Sequence, residues 1–312
     1  MVHPDTCLTV LDGGLATELE ARGFDLADAL WSARLLADAP DAIEAVHLAY
    51  FEAGADFATT ASYQASGAGF AAHGYSLEDA DALLQRSVAL ARSARDRFHA
   101  RQPESGRALR VAASIGPYGA TLHDGSEYRG DYGLEEDALA AFHRPRLATL
   151  LGAAPDLLAC ETIPSLLEAR AIVRVLHEHP SARAWVTFTC RDGAHTSAGD
   201  AIADCARFLD AEPQVEALGI NCVDPVLVTS LVHAIGLATA KPIVVYPNSG
   251  EVWNAHAHCW EGTATRFTTW VEEWIDAGAS WLGGCCRTTP ADIRRVREIV
   301  DGRTTMAAPR KA

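Results

Sequence analysis

Residues 281–286 read Trp-Leu-Gly-Gly-Cys-Cys: a short apolar run meets two glycines and then two adjacent cysteines, Cys285 and Cys286. Neighbouring cysteines make poor partners for each other, because a vicinal disulfide strains the peptide between them. Two such thiols suit a metal, a redox pair or plain packing. A third cysteine, Cys222, closes the segment "ALGINC". Three thiolates with one position left open describe a catalytic zinc site, whereas a structural site would be closed by a fourth ligand. The spacing matches none of the short local zinc patterns, so this reading stands only if the fold brings the two segments together. Cys7, Cys160, Cys190 and Cys205 are expected to be small buried hydrophobes.

The elements that must position these thiols are legible. Eight short segments are rich in aliphatic and β-branched residues: "CLTVLD" (7–12), "DFATTASY" (56–63), "RVAASIG" (110–116), "DLLACET" (156–162), "AWVTFTC" (184–190), "ALGINC" (217–222), "PIVVYPN" (242–248) and "SWLGGCC" (280–286). They are mostly continuous apolar runs, as strands covered on both faces should be. Helical patterns with start signals lie between them. Ser165 and Glu168 have capping-box spacing, Asp224-Pro225 opens another helix, and Thr289, Pro290 and Asp292 open the last. Strand and helix alternating eight times predict an α/β fold, the (β/α)8 TIM barrel. The glycines before Cys285 are expected to turn the backbone so that both thiols face one ion.

No shift in composition marks a second domain, so residues 1–300 are read as a single barrel and 301–312 as a flexible tail. A net charge of −15 argues against nucleic acid or an anionic membrane as partner, since both require clustered Lys and Arg. The first residues carry no basic segment followed by an apolar core, and no apolar run reaches the ~18 residues of a membrane helix. A cytoplasmic chain is expected, where eight cysteines do not form a disulfide framework.

In such a barrel the active site lies at the C-terminal ends of the strands. Those ends carry Asp12-Gly13-Gly14, Cys160-Glu161-Thr162, Asn221-Cys222 and Gly283-Gly284-Cys285-Cys286. Asp12 and Glu161 are therefore candidates for binding a polar substrate, although Asp before Gly-Gly is common in turns and Glu161 has a possible ion-pair partner in Arg191. The long segment 117–133 is polar, glycine-rich and bears three tyrosines, which favours a functional loop over a disordered one.

At this point "LDGGLATELEARG", "SIGPYGATLHDGSEYRGDY", "FHRPRL", "LLACETIPSLLEA", "GINC", "VYPNSGEVW" and "LGGCC" together resemble the homocysteine S-methyltransferase family. The closest likeness is to its single-domain enzymes that use S-methylmethionine or S-adenosylmethionine. The resemblance spans about Val10 to Ile299. It implies a zinc-dependent barrel whose ligands are Cys222, Cys285 and Cys286. It also implies a homocysteine amino group held by Asp12 and Glu161, with Gly13, Gly14 and Asn221 at the same substrate end. Ser62, Gln64, Tyr118, Glu127, Tyr128 and Asn248 are candidate contacts for the donor, against loop packing as the alternative. Trp281 and the loop "HAHCW" (256–260) are minor departures from the family pattern.

The chemistry agrees with that pattern. A free alkyl thiol has a pKa of about 8.5, so little is ionised at neutral pH. Zinc held by three thiolates accepts a fourth sulfur, releases its proton and leaves it electron-rich. A sulfonium cation and a thiolate become two neutral products, a step favoured where water is excluded. No general acid or base is needed.

Four other readings remain at the level of sequence. His256, His258 and Cys259 offer donors for a second metal site, but a three-residue cluster on a loop lacks a fixed fourth ligand. "SGAGF" (66–70) lacks the strand–GxGxxG–helix context of a nucleotide loop, and there is no P-loop. The same chemistry with betaine as donor would call for a longer C-terminal extension, and a cobalamin-dependent enzyme for extra domains. A non-catalytic zinc or homocysteine-binding protein, or a thiol redox sensor, would share the cysteines without turnover.

Overall fold

The protein was studied as a computed structural model, which describes residues 8–26, 34–254 and 259–307. Its strands are β1 (Thr9–Val10), β2 (Phe57–Thr59), β3 (Arg110–Ile115), β4 (Leu157–Ile163), β5 (Ala184–Phe188), β6 (Val215–Asn221), β7 (Ile243–Tyr246), β8 (Val252–Asn254), β9 (Cys259–Glu261) and β10 (Ala279–Leu282). Eight of them form one sheet in the order β1-β10-β7-β6-β5-β4-β3-β2, with every ladder parallel. Each of the eight overlaps one of the apolar segments picked out above, although β4 runs one residue past its segment, β6 starts two residues before its own and β10 one residue before. The edge strands β1 and β2 meet through Asp56: its N–H donates to Val10 O at 2.6 Å and its carboxylate accepts from Val10 N at 2.8 Å. That seam brings the sheet round into a (β/α)8 barrel.

Two cores result. The larger lies between strands and helices and includes Val10, Ile115, Leu158, Val186, Leu218 and Val245. The smaller fills the barrel, where Phe57, Trp185 and Trp281 interlock with ring centroids 5.3–5.9 Å apart. The bulk of these rings is offset by Ala112, Ala159 and Ala217 on neighbouring strands, the large-with-small filling a closed barrel requires. Trp281, a departure from the family pattern, therefore belongs to the barrel plug.

Three local expectations are corrected. Ser165 does cap its helix, accepting from Glu168 N at 3.2 Å, but the Glu168 side chain does not return the bond. It is fully buried and bonds Tyr118 N and His143 instead, because a buried carboxylate is better satisfied by those donors than by an N-cap amide. The final helix runs Pro290–Ala307, past the boundary at residue 300, and its Arg303 pairs with Asp276 at 2.8 Å. The hairpin of β8 and β9 was not anticipated. His256 and His258 lie outside the described residues, as does Cys7, so neither the second metal cluster nor the packing of Cys7 has a structural counterpart here. Cys160, Cys190 and Cys205 are buried as expected. No described helix is long and apolar enough to cross a membrane.

Candidate metal centre and substrate site

Cys222 follows β6, and Cys285 and Cys286 follow β10. The fold brings all three together. Their sulfur atoms lie within 4.8 Å of one another, with Cys222 Sγ 3.7 Å from Cys286 Sγ and Cys285 Sγ 4.0 Å from Cys286 Sγ. Tetrahedral zinc with bonds of about 2.3 Å holds its sulfur ligands about 3.8 Å apart, so the set fits that ion with little movement. A disulfide needs about 2 Å, and these thiols are free.

The backbone makes this convergence possible in a way the glycines alone do not explain. Gly283 and Gly284 are absent from the left-handed region; the positive φ values fall at Cys222 (53°) and Arg287 (64°). Because Cys285 and Cys286 stand beyond the last ladder residue, strand alternation no longer separates them. The glycines serve close approach instead. A Cβ on Gly284 would collide with the Thr288 hydroxyl, and one on Gly14 would lie 2.7 Å from Cys285 O. Thr288 Oγ1 donates to Cys285 O at 2.7 Å and accepts from Gly14 N at 3.1 Å, which ties the end of β1 to the cysteine turn. Tyr50 completes the tie by donating to Gly14 O at 3.0 Å. Gly13 faces the Tyr50 ring, where a Cβ would sit 2.8 Å from it. Gly13 and Gly14 are thus spacers for the site.

Asn221, fully buried, is the joint between the cysteines and the rest of the mouth. Its Oδ1 accepts from Thr162 N at 2.7 Å and Thr187 Oγ1 at 2.8 Å. Its Nδ2 donates to Thr162 Oγ1 at 2.8 Å and approaches Cys285 Sγ at 3.9 Å. Thr162 sits at φ 61°, an unfavourable region for a β-branched residue, and Asn221 holds it there. Asn248 acts similarly, its Oδ1 accepting from Cys286 N at 3.2 Å.

Among the three thiols, Cys222 is held well below the ordinary thiol range by hydrogen bonds from Cys285 and Cys286, whose own ionisation is pushed up in consequence. Hydrogen bonding within the cluster thus favours one thiolate charge among the three sulfurs, and the Tyr128 hydroxyl lies 3.3 Å from Cys222 Sγ.

Asp12 and Glu161 are both buried at the same mouth, 6% and 8% exposed. Asp12 accepts from Thr59 N at 2.7 Å and Thr59 Oγ1 at 2.9 Å; Glu161 accepts from Ser114 Oγ and from Tyr246. Burial pushes each carboxyl up to about 7. Glu161 makes no ion pair with Arg191, which turns to Asp192. Two buried carboxylates near the thiol cluster give this mouth a chemistry that favours positive charge.

The donor-side candidates separate. Glu127 is pushed up to about 7 by burial. Its Oε2, like Gln64 Oε1, is buried without a hydrogen-bond partner. Tyr128 reaches the sulfurs as described. Ser62 and Tyr118 have partners within the protein. The Ser62 hydroxyl bonds Ser114 O at 2.7 Å. The Tyr118 ring packs on Tyr132 and Phe142 with centroids 5.3 and 5.1 Å away. Both lie where segments 60–64 and 116–120 are pinned from behind. Arg146, 3% exposed, donates to the carbonyls of Gly116, Ser62 and Tyr63. Sequence reasoning assigned no role to that anchor or to Thr59, Ser114, Thr162, Thr187, Tyr246 and Thr288, although Arg146, Ser114, Thr162 and Tyr246 stand in the quoted motifs "FHRPRL", "SIGPYGATLHDGSEYRGDY", "LLACETIPSLLEA" and "VYPNSGEVW".

A parallel eight-stranded barrel with a three-cysteine cluster and buried carboxylates at its C-terminal mouth defines a thiol-metal barrel enzyme site. The model of the homocysteine S-methyltransferase family matches residues 9–300, and the chain belongs to that family. It is 50% identical over 295 residues to the homocysteine S-methyltransferase YbgG of Bacillus subtilis (strain 168), covering 93% of each chain. It is 49% identical over 293 residues to the homocysteine S-methyltransferase of Escherichia coli (strain K12), covering 93% of this chain and 94% of the relative. The metallated form of the Escherichia coli homocysteine methyltransferase MmuM superposes with a TM-score of 0.87 at 48% identity, covering 95% of this chain and 97% of that one.

Proposed function

We propose that this chain is a zinc-dependent homocysteine S-methyltransferase, taking a methyl group from a sulfonium donor such as S-methylmethionine or S-adenosylmethionine. The observation that carries the reading is the convergence of the Cys222, Cys285 and Cys286 sulfurs within 4.8 Å of one another beside the buried carboxylates of Asp12 and Glu161. Family membership and the metallated relative agree with it. Zinc held by the three cysteines would take the homocysteine sulfur at its fourth position and make the thiol ionise at neutral pH.

Asp12 and Glu161 receive the homocysteine ammonium. Their poor solvation in the empty pocket is relieved when a cation arrives, which makes the acceptor's charge a condition of tight binding. Thr59, Ser114 and Tyr246 hold the two carboxylates in place through the hydrogen bonds given above, so little reorganisation accompanies binding. Asn221 and Asn248 fix the strand ends that carry the cysteines, the supporting role that outer polar groups play around a metal.

In the transfer itself the homocysteine thiol loses its proton. Its sulfur then attacks the donor methyl carbon in line, and the methyl–sulfonium bond breaks with its electron pair retained by the donor sulfur. The products are methionine and a neutral thioether. Nothing in the chain has to donate or accept a proton at the reacting carbon.

The test is methionine formation from homocysteine and S-methylmethionine by the reduced protein, with and without a zinc chelator. Turnover that is abolished by the chelator and restored by zinc supports the proposal. Zinc-replete protein that binds homocysteine and yields no methionine with either sulfonium donor contradicts it.

A further inference from the structure

We infer that Glu127 is the carboxylate that receives the cationic sulfonium of the methyl donor, a role resting on the methyltransferase reading above. Three carboxylates lie around the cysteine cluster: Asp12 and Glu161 are buried, and Glu127 is half-buried. Asp12 is engaged by Thr59, and Glu161 by Ser114 and Tyr246. Glu127 differs, because its Oε2 is buried with no hydrogen-bond partner. A carboxylate oxygen removed from water and left without a donor is unfavourable by itself, so the site gains most from a ligand that brings positive charge.

The position of Glu127 is fixed rather than adventitious. It lies in the one-turn segment Ser126–Tyr128, where Asp124 accepts from Ser126 N at 2.9 Å. Gly119 packs so tightly beneath that a Cβ there would sit 2.5 Å from Glu127 N. The next residue, Tyr128, reaches Cys222 Sγ at 3.3 Å, which sets Glu127 beside the reacting sulfurs. Tyr63, bonded to Thr162, lies within the electrostatic reach of Glu127, Cys222 and Glu161 together. Burial outweighs the pull of Arg129, the weakest influence on Glu127, and Arg129 itself turns toward Asp124, Ser126 and Asp131.

The chemical class follows. A sulfonium centre is cationic and carries no N–H or O–H, so it is recognised by a carboxylate and by aromatic rings rather than by hydrogen bonds. Glu127 with Tyr63 and Tyr128 supplies both. The site thereby selects cationic methyl donors over uncharged ones.

The experiment uses zinc-loaded, reduced protein and the variant Glu127→Gln, which keeps size and removes charge. The expected result is an increase in the S-methylmethionine KM of about 10- to 100-fold, the usual effect of removing one partner of a desolvated charge pair. The homocysteine KM and zinc content should stay within twofold, and Glu127→Asp should recover part of the loss. Binding of trimethylsulfonium, measured by calorimetry, should weaken in Glu127→Gln, while uncharged dimethyl sulfide should bind both proteins equally. An unchanged donor KM with unchanged trimethylsulfonium affinity overturns the assignment, and so does an equal loss in homocysteine KM and zinc retention, which would mark Glu127 as a packing residue. Wild-type protein without turnover would strike at the methyltransferase reading, and the trimethylsulfonium comparison would still decide the role of Glu127.

Discussion

Replacing Asp12 by Asn should make the unliganded protein more stable and a poorer binder of homocysteine. Asparagine preserves both contacts, since its Oδ1 accepts from Thr59 N and its Nδ2 donates to the Thr59 hydroxyl, where the carboxylate now accepts at 2.7 and 2.9 Å. What it removes is a buried charge. Asp12 ionises near 3.8 when unfolded and about 7 when folded, because burial opposes its charged form. A group with a raised folded pKa contributes its full stability below the unfolded value and loses it as pH climbs to the folded value. At pH 5.5 the lost stability corresponds to about 1.7 pKa units, and above pH 7 to about 3.2, at about 1.4 kcal/mol per unit. The stability gap between Asp12→Asn and the wild type should therefore widen by about 2 kcal/mol from pH 5.5 to pH 8. Urea unfolding of both proteins at the two pH values measures that gap. Homocysteine at about 100 times its Kd should then add about 2.7 kcal/mol to the wild type and much less to the variant. Parallel pH profiles, or equal stabilisation by homocysteine, would refute the reasoning.

Asn221→Ala leaves Thr162 N unpaired in a buried site and leaves the Thr187 hydroxyl with Tyr246 alone, so unfolding free energy should fall by about 1–3 kcal/mol and zinc affinity by about 10–100-fold, read by urea titration and chelator competition. Gly284→Ala forces Thr288 off its bonds to Cys285 and Gly14, and metal analysis should show zinc lost before circular dichroism shows any change of fold. Cys285→Ala or Cys286→Ala should abolish zinc retention and turnover while thermal unfolding stays cooperative; a variant with full activity would sink the ligand assignment. Arg146→Met should free three carbonyls behind the 60–64 and 116–120 segments and raise the KM for both substrates together, measured by steady-state kinetics.

The barrel was legible because the strands are largely buried on both faces and read as mostly continuous apolar runs; the segments from "CLTVLD" to "SWLGGCC" needed no distant information. The cysteine cluster was legible for a related reason, since the rule that barrel chemistry sits at strand C-termini turns a separation of 64 residues between Cys222 and Cys286 into a contact. What failed were assignments that depend on a side chain's partner. Glu168 stands at the right spacing for a capping box, yet its carboxylate turns inward to His143 and Tyr118 N, which lie 25 and 50 residues away. Ser62 bonds Ser114 O and the Tyr118 ring packs on Tyr132 and Phe142, partners that no local pattern announces. The glycines of "LGGCC" were read as hinges, whereas they permit close packing and the strained φ values fall on Cys222 and Arg287. Thr59 carries no local pattern, and the motifs that hold Ser114 and Tyr246 give no sign of their partners. Their role exists only where the ends of β1, β2, β3, β4 and β7 meet at one mouth.

X-ray absorption at the zinc edge, before and after addition of homocysteine, tests the central claim most directly. The account predicts three protein sulfur ligands at about 2.3 Å in the free protein and a fourth sulfur at a similar distance once homocysteine is bound. A sulfur count that does not change on saturation with homocysteine would contradict it.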